Sequence, residues 1–559
     1  MPGLALAKPT RKASRYAAQV QNHKYAIFPA PVMGLDVSAP FTEQDPRTGT
    51  VLENFIVRRL GSELRGGYKR HNSNLGGIGS ESGVATMMAY QPPRGPGSAA
   101  ASKLFAACQN GNIYDVTSIS NEATTLGVSK AVPGQTEPGF FSFINFATAN
   151  TNYLCAVSAG GGYFTYDAAG GWIDRTAAVT GVTGGAITFD FIMAWKNKLW
   201  FIQENSTVAY FLPTGSIVGA ASLFDFGPLL VHGGELRSMA SWTLDAGDGV
   251  DDKLIIAGAQ GDILIYGGTD PTTAATFGLI GRWFVGPPPK GRRFMTNYGG
   301  DMAILSETGL TFISQVTQAL GLVDPEGPSQ DTEARRFNEV ISQYVRDNRD
   351  LNGFAMCFVP SLEALILSTP DPHNITTFGF QFVYSTIPQG FSTFINVPMM
   401  AMDVFDGDLF IGTPFGIVAR AFANDSDGEL SDGTIGNTVV GSLQTAFVAP
   451  PDDRASLKRP LLIMPMVQSS DTPSMSAKVN TEWSGASIAG SPSFNPNTTS
   501  TWDNGKWDTA IWAGVAATFF LWIGATGLGA YFALRLQLIG KRGTTFTSWK
   551  LIYEPGGIM

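Results

Sequence analysis

Charged residues are scarce in this chain of 559 residues, where 37 basic and 46 acidic side chains make up 15% of the sequence. An average soluble domain carries about 25%. The net charge is −9, so no overall basic field attracts nucleic acid. Because 44% of the residues are apolar, the low charge does not indicate disorder. We expect a large buried core.

Cysteine and histidine are also rare. Cys108, Cys155 and Cys357 lie far apart, each within an apolar run, which excludes a disulfide framework and indicates buried thiols. Such thiols are typical of assembly in a reducing compartment. None of the four histidines lies near a cysteine or a second histidine at ligand spacing, so zinc is not expected.

Motifs for catalysis are missing. The sequence has no Gly-x-Ser-x-Gly elbow and no phosphate-binding Gly-x4-Gly-Lys-Ser/Thr loop. The acidic segments 245–252 and 424–433 lack the glycine and glutamate of an EF-hand. They are interpreted as solvated turns, with a calcium site of another type as the alternative. We expect no cofactor and no enzyme activity, although a carboxylate pair for glycoside hydrolysis can come from distant loops.

Residues 509–534 form an uncharged run long enough to span a membrane. Three glycines crowd the run, which favours a turn, and from Leu534 to Leu538 leucines alternate with polar residues. Alternation is the period of a strand. The sequence therefore predicts strands here and no membrane span.

Glycine, in contrast, is abundant, with 65 residues. Many glycines fall in a repeated unit of a short apolar strand, a tight turn and a second apolar strand. The unit recurs at residues 104–115, 153–164, 199–210, 254–266, 302–313 and 409–418. The turn glycines are Gly111, Gly162, Gly261, Gly309 and Gly416. Their spacing is mostly compatible with one four-stranded propeller blade per about 40–50 residues. A series of β-sandwiches with unrelated hairpins is the alternative.

These patterns predict an all-β protein with few helices and three parts. Residues 81–425 form a β-propeller-like domain, residues 426–559 form a second β domain, and the irregular residues 1–80 pack against that second domain. One helix is predicted at residues 331–349. Its apolar stripe is Phe337, Val340, Ile341, Tyr344 and Val345.

The N-terminal arm departs from the acidic character of the chain. Residues 1–35 carry +5 and no acid, which leaves −14 for the rest. The basic residues are Lys8, Arg11, Lys12, Arg15 and Lys24. The arm is interpreted either as solvated and flexible or as a segment that docks on an acidic neighbouring subunit. No apolar stretch of a secretory signal follows it.

Three sets of motifs carry a resemblance to a known family. The first contains FPAPVMGLD at 28–36, VLENF at 51–55 and ELRGGY at 63–68. The second contains DGDLFIG at 406–412, GIV at 416–418 and DG at 432–433. The third contains WDNGKWDTAIW at 502–512 and LIYEPGG at 551–557. In this order they resemble the tail nozzle proteins (tail tubular protein B-like) of short-tailed bacteriophages.

The resemblance implies a structural virion protein of the phage tail, assembled in the host bacterial cytoplasm. It implies a homo-hexameric nozzle ring below the tail adaptor ring protein, a β-rich platform built from both chain ends, and an outward-facing propeller. The ring channels and gates passing double-stranded DNA and helps to hold tail fibre or spike proteins. An acidic body suits such a channel, because many basic contacts would grip DNA.

A glycan-binding or glycan-degrading tailspike-like protein is the main alternative. Trp172, Trp195, Trp200, Trp242 and Trp283 are aromatic surfaces on which sugars can stack. They lie among strand residues, so packing in the core is the predicted role. A membrane-active ejection protein that uses residues 509–534 is the second alternative.

Overall fold

The structure is a computed structural model. It describes residues 23–37, 39–73, 75, 83–92, 101–109, 111–119, 126–129, 139–243, 252–273, 276–318, 335–370, 380–428, 436–450, 456–488 and 517–556. The protein is mostly β-structure, with six blades arranged like a β-propeller and a second body of strands from both chain ends. The predicted fold class is therefore confirmed.

The N-terminal segment contributes five strands. They are β1 (Lys24–Pro29), β2 (Gly49–Glu53), β3 (Phe55–Arg58), β4 (Gly61–Leu64) and β5 (Gly67–Asn72). The first four belong to sheets that also contain C-terminal strands, whereas β5 pairs with a propeller strand. The boundaries at residues 80 and 425 stay a prediction, and β5 shows that one strand of the N-terminal segment belongs to the propeller.

The first four blades are four-stranded antiparallel sheets. Blade 1 contains β6 (Val84–Tyr90), β7 (Lys103–Cys108), β8 (Asn112–Asp115) and β9 (Leu126–Ser129). Blade 2 contains β10 (Ser142–Ala147), β11 (Asn152–Ser158), β12 (Gly162–Asp167) and β13 (Gly171–Asp174). Blade 3 contains β15 (Phe189–Trp195), β16 (Lys198–Gln203), β17 (Val208–Phe211) and β19 (Ser222–Asp225), beside the short parallel pair β14 (Val179–Thr180) and β18 (Gly219–Ala220). Blade 4 contains β20 (Leu236–Trp242), β21 (Lys253–Gly258), β22 (Asp262–Gly268) and β23 (Phe277–Phe284).

A three-stranded sheet and two further blades complete the ring. The three strands are β24 (Met295–Tyr298), β25 (Asp301–Ser306) and β26 (Gly309–Phe312). Blade 5 contains β27 (Ala355–Val359), β28 (Ala364–Ser368), β29 (Gln381–Ser385) and β30 (Gly390–Phe394). Blade 6 contains β31 (Ala401–Phe405), β32 (Asp408–Gly412), β33 (Val418–Asn424) and, as its fourth strand, β5. Strand β31 packs beside β6 of blade 1, which closes the ring.

The hairpins predicted from the sequence are the second and third strands of five blades and of the three-stranded sheet. All five predicted turn glycines have positive φ, from 66° at Gly416 to 107° at Gly162. Glycine adopts this backbone region without steric cost, so the repeated turns account for part of the glycine excess.

Two α-helices lie in the described residues, α1 (Ile313–Gln318) and α2 (Arg335–Asn348). Ile341 and Val345 of α2 are buried in the core, with Val340 and Tyr344 packed against it. The predicted helix is therefore confirmed over Arg335–Asn348, together with these four residues of its stripe. Residues 331–334 and the Phe337 side chain lie outside what the structure describes. Four single-turn 3-10 helices lie at Thr176–Ala178, Ala186–Thr188, Gly227–Leu229 and Pro360–Leu362.

The C-terminal segment supplies the remaining strands. They are β34 (Ser426–Asp427), β35 (Asn437–Thr438), β36 (Val440–Thr445), β37 (Lys458–Ser469), β38 (Ser474–Thr481), β39 (Ala517–Phe520), β40 (Ile523–Gly524), β41 (Phe532–Ile539) and β42 (Thr545–Pro555). The region predicted to be strands instead of a membrane span thus contains β39, β40 and the start of β41. No helix in the described part of the chain has both the length and the apolar character needed to cross a membrane.

We call the body formed by both chain ends the platform. One of its sheets has the order β3-β4-β42-β37-β39, with β1 also on β42 and β40 also on β37. Strands β2, β36, β41 and β38 continue the sheet of blade 5. A single buried cluster contains Phe28 and Trp549 of the platform together with Ile255, Leu305 and Ile341 of the propeller side. The platform and the propeller therefore share one core.

Candidate interaction surface

Three platform strands align apolar side chains across one face of the sheet. On β42, Ile552 lies opposite both Tyr25 of β1 and Leu462 of β37. Two residues along, Lys550 lies opposite Ile27 and Met464. Residues directly opposite in an antiparallel ladder point to the same side, and that side recurs every second residue. The two rows therefore lie on one face.

The other side of the same strands is buried. Ala26 and Phe28 of β1, Trp549 and Leu551 of β42, and Ile463 of β37 all belong to the shared core. One face of this sheet therefore packs against the shared core. The rows that contain Tyr25 and Ile27 lie on the outer face.

Large apolar side chains on the outer side are exposed. Tyr25 is 65% exposed, Ile27 59% and Phe520 of β39 61%. Leu462 is exposed as well, and Leu521 and Trp522 are exposed in the turn that follows Phe520. We call this set, Tyr25, Ile27, Leu462, Phe520, Leu521 and Trp522, the platform face. Large exposed apolar patches occur at protein–protein and membrane contact sites and in binding grooves, which makes the platform face a candidate interaction surface.

The side chain of Lys550 borders the platform face. The Lys550 ammonium lies 4.4 Å from the centroid of the Tyr25 ring, within the range of a cation–π contact. This contact holds the exposed ring against the sheet and leaves its other side available to a partner.

The structure describes only part of the predicted partner-binding arm. Lys8, Arg11, Lys12 and Arg15 lie outside the described residues. Lys24 is the first residue of β1, opposite Tyr553. The arm therefore joins the sheet one residue before Tyr25, at the border of the platform face, and its role in docking stays a prediction.

The two acidic segments tested for calcium are described in part. Asp427 pairs with the Arg65 guanidinium, and Asp425 accepts a hydrogen bond from the Arg542 backbone N–H. In the other segment only Asp252 is described, with the Lys196 ammonium 3.5 Å away. The described residues contain no group of histidine, cysteine and acidic side chains able to hold a metal ion. The remainder of both loops lies outside the described residues.

The thiols are poor nucleophiles. Burial raises the pKa of Cys108, Cys155 and Cys357 to about 12 in each case. A thiol with so high a pKa holds almost no thiolate at neutral pH. The prediction that the three cysteines are buried is confirmed for Cys108 and Cys155, whereas Cys357 is half-buried.

A histidine–carboxylate pair exists at the turn before blade 4. Nδ1 of His232 lies 2.7 Å from Oδ1 of Asp262, and Oδ2 of Asp262 accepts a hydrogen bond from the His232 backbone N–H. The carboxylate thus binds both the side chain and the backbone of the same residue. This arrangement fixes the turn.

The tryptophans considered for sugar stacking pack inside the blades. Trp195, Trp200 and Trp242 are buried, and Trp195 contacts the Phe277 ring at a centroid distance of 5.6 Å. Trp172 and Trp283 pack against buried clusters. The predicted core role is confirmed for Trp195, Trp200 and Trp242, whereas Trp172 and Trp283 are half-buried at the border of their clusters.

Sequence reasoning did not identify the platform face. Strand β1 reads KYAIFP and the centre of β37 reads PLLIMPMV, which are continuous apolar runs without alternation. Such runs are typical of strands covered on both faces. The two runs thus predict strands covered on both faces, whereas this chain by itself covers only one face of them.

Comparison with known proteins finds solved structures of low similarity. No protein-family model and no curated protein matches the chain. The designed protein Ika8 is 10% identical over 63% of this chain and 99% of its own, with a TM-score of 0.34. PorZ, a surface component of the type-IX secretion system of Porphyromonas gingivalis, is 12% identical over 62% of this chain and 37% of its own, with a TM-score of 0.37. BBS1N, solved in complex with ARL6DN, is 11% identical over 62% of this chain and 95% of its own, also with a TM-score of 0.37.

Proposed function

We propose that this protein is a structural virion protein that forms the homo-hexameric nozzle ring of a short phage tail. In this proposal the ring channels and gates the genome, meets the tail adaptor ring protein and helps to attach fibres or spikes. The observation that carries the proposal is the platform face, an exposed apolar strip on strands contributed by both ends of the chain.

The platform face is a part of the subunit whose apolar side chains favour a partner. Burial of apolar surface contributes about 25 cal/mol per Å², so an uncovered strip of large side chains favours association. A neighbouring copy is the natural occupant in a ring, since every subunit then covers one neighbour and is covered by another. The number of six subunits in the proposed ring comes from the resemblance of the sequence to tail nozzle proteins.

Charge distribution supports a DNA channel. Outside the first 35 residues the chain carries −14. A lumen with few cations binds duplex DNA weakly, because affinity for the phosphate backbone comes mainly from basic contacts. The +5 arm enters β1 at Lys24, next to the platform face, and in this proposal it docks on an acidic neighbouring subunit.

Imaging and light scattering test the proposal. We expect negative-stain images of the full chain, or of the virion tail, to show a six-fold ring with a central hole. The double variant Ile27→Lys with Phe520→Lys should be monomeric and keep the circular dichroism spectrum of the folded chain, since both side chains are exposed on the subunit. The matched control is Ile119→Lys, an exposed apolar residue of the propeller, which should still form rings.

Two results would contradict the proposal. A trimer with glycan-depolymerase activity would favour the tailspike alternative. Rings that persist in the Ile27→Lys, Phe520→Lys variant would show that the platform face is not the subunit contact.

A further inference from the structure

A cavity of about 380 Å³ opens at one end of the propeller axis. Its lining includes Asp190 at the start of β15, Arg237 at the start of β20, Ala355 at the start of β27 and Met400 just before β31. The first strands of a propeller surround the central channel. Their starting ends therefore meet at this cavity, which we call the axial cavity.

Cations outnumber carboxylates in the axial cavity. Arg237, Lys290, Arg292 and Arg293 line it, whereas the acidic lining residues are Asp190 and Glu204. This balance is the reverse of the whole chain, which carries −9.

Arg292 is held in place by its neighbours. Its guanidinium forms an ion pair with Asp190 and donates hydrogen bonds to the carbonyl oxygens of Leu236 and Arg237, at 3.0 and 2.8 Å. Burial lowers the pKa of Arg292 to about 10, so it stays cationic at neutral pH. The charge is fixed at the wall between blade 4 and the three-stranded sheet.

Arg293 reaches across the axis to blades 1 and 2. Its guanidinium donates to the carbonyl oxygens of Ala85 and Phe141, at 3.2 and 2.9 Å, and to the Thr86 hydroxyl. A guanidinium fixed by three acceptors is a preorganised positive charge at the floor of the cavity. Arg237, whose partner is Glu235 at 2.9 Å, and the exposed Lys290 lie in the same lining.

Asn352 adds an unpaired amide donor to the cavity lining. Its side-chain Nδ2 is buried in the cavity lining and has no hydrogen-bond acceptor among the described residues. A buried donor without an acceptor costs about 1–3 kcal/mol. Because this atom has almost no accessible surface, a rotation of the half-buried Asn352 side chain toward the axial cavity would bring it to an acceptor there and remove that cost.

We propose that the axial cavity binds a small ligand through an oxyanion, either a carboxylate or a phosphate group. Arginine and lysine bind such groups through charge-assisted hydrogen bonds, and the Asn352 amide adds a neutral donor. The volume lies near the lower end of the range of about 300–1,000 Å³ for small-molecule sites. The proposal does not depend on ring assembly.

Calorimetric titration of the full chain tests this site. The probes are inorganic phosphate, D-glucuronate and D-glucose, where glucose matches glucuronate in size without its charge. We expect phosphate, glucuronate or both to bind, and glucose not to bind. Binding of phosphate alone would indicate that the ligand of the cavity carries a phosphate group. Binding of glucuronate alone would indicate a sugar acid.

Variants separate a binding role from a structural one. Asn352→Leu should weaken binding about tenfold or more without lowering the melting temperature of the unliganded protein, because the uncompensated donor is removed. Arg237→Gln with Lys290→Gln should also abolish measurable binding. Arg420→Gln, at an exposed arginine of blade 6 outside the cavity, is the matched control and should bind normally. Absence of binding by both anions, or equal binding in all variants, would overturn the proposal.

Discussion

The Arg65 guanidinium makes two hydrogen bonds of 2.8 Å to the carboxylate of Asp427, 362 residues further along the chain. The two side chains are 1% and 9% exposed. Arg65 also donates to Asn54 Oδ1 at 2.9 Å and to the carbonyl oxygen of Ile395 at 3.2 Å. One buried cation therefore joins the N-terminal segment to blade 5 and to the exit from blade 6.

Removing one member of this pair should destabilise the protein strongly. Arg65→Ala or Asp427→Ala leaves a buried charge without its partner, which costs about 3–5 kcal/mol. The exposed pair of Arg420 and Asp408 is the control, since exposed ion pairs contribute about 0–1 kcal/mol. Urea unfolding of the single and double variants measures the loss of stability for each of the two pairs. Equal losses of stability for the two pairs would contradict the stabilising role of Arg65 between the N-terminal segment and the two blades.

Substitution of Gly67 tests how tightly β5 must pack as the fourth strand of blade 6. A Cβ at this position would lie 2.1 Å from the Ser426 carbonyl oxygen, so the backbone must move. We expect Gly67→Ala to cost at least about 1–3 kcal/mol, the usual range for overpacking. Gly278→Ala, where no atom lies within 4 Å, should stay within about 0.5 kcal/mol of wild type. Similar melting temperatures for both variants would show that this closure tolerates displacement.

Local signals in the sequence predict most blades and miss one. Tight glycine turns produce a visible repeat, as at Gly162 and Gly261, because positive φ selects that residue. In blade 5, β27 and β28 join through Glu363 in the left-handed region, and the β28–β29 connection runs from Thr369 to Phe380. This blade therefore carries no glycine signature.

Long-range pairings could not be predicted from the sequence. The pairing of Arg65 with Asp427 and the place of β5 in blade 6 depend on which chain ends meet, and spacing does not contain that information. The axial cavity could not be predicted for the same reason, because its lining comes from segments more than 200 residues apart, such as those of Ser142 and Met400. Local periodicity predicts the individual strands, whereas the closure of the propeller determines which distant segments pair.

The thiols should resist modification in the folded protein. With a pKa of about 12 for each cysteine, only about one thiol in ten thousand is thiolate at pH 8. We expect Ellman's reagent to detect no thiol in the native chain and all three in denaturant. Ser222→Cys, at an exposed position of β19, should add one fast-reacting thiol. Rapid labelling of Cys108 or Cys155 in the native protein would contradict the buried placement.

Asp403 should make stability depend on pH. Burial raises its pKa to about 7, against the hydrogen bonds from the Ala89 and Val404 backbone N–H groups and the attraction of Arg293, which lower it. The folded protein then holds a proton that the unfolded chain, with a pKa of 3.8, has released. Stability from this group is present below about pH 4 and is lost as the pH rises to about 7, by on the order of 4 kcal/mol in total.

Asp403→Asn isolates that contribution, because the amide does not titrate. We expect the free energy of unfolding of Asp403→Asn, relative to wild type, to increase between pH 4 and pH 7 and to level off above pH 7. Asp408→Asn, beside the turn of the same hairpin and partly exposed, is the matched control for removing a carboxylate from this blade. Since other carboxylates, such as Asp115 with its lowered pKa, change stability in the opposite direction, the difference between variant and wild type is the quantity to measure. A constant difference across this range would mean that Asp403 is ionised in the fold, with the charge of Arg293 compensating its burial.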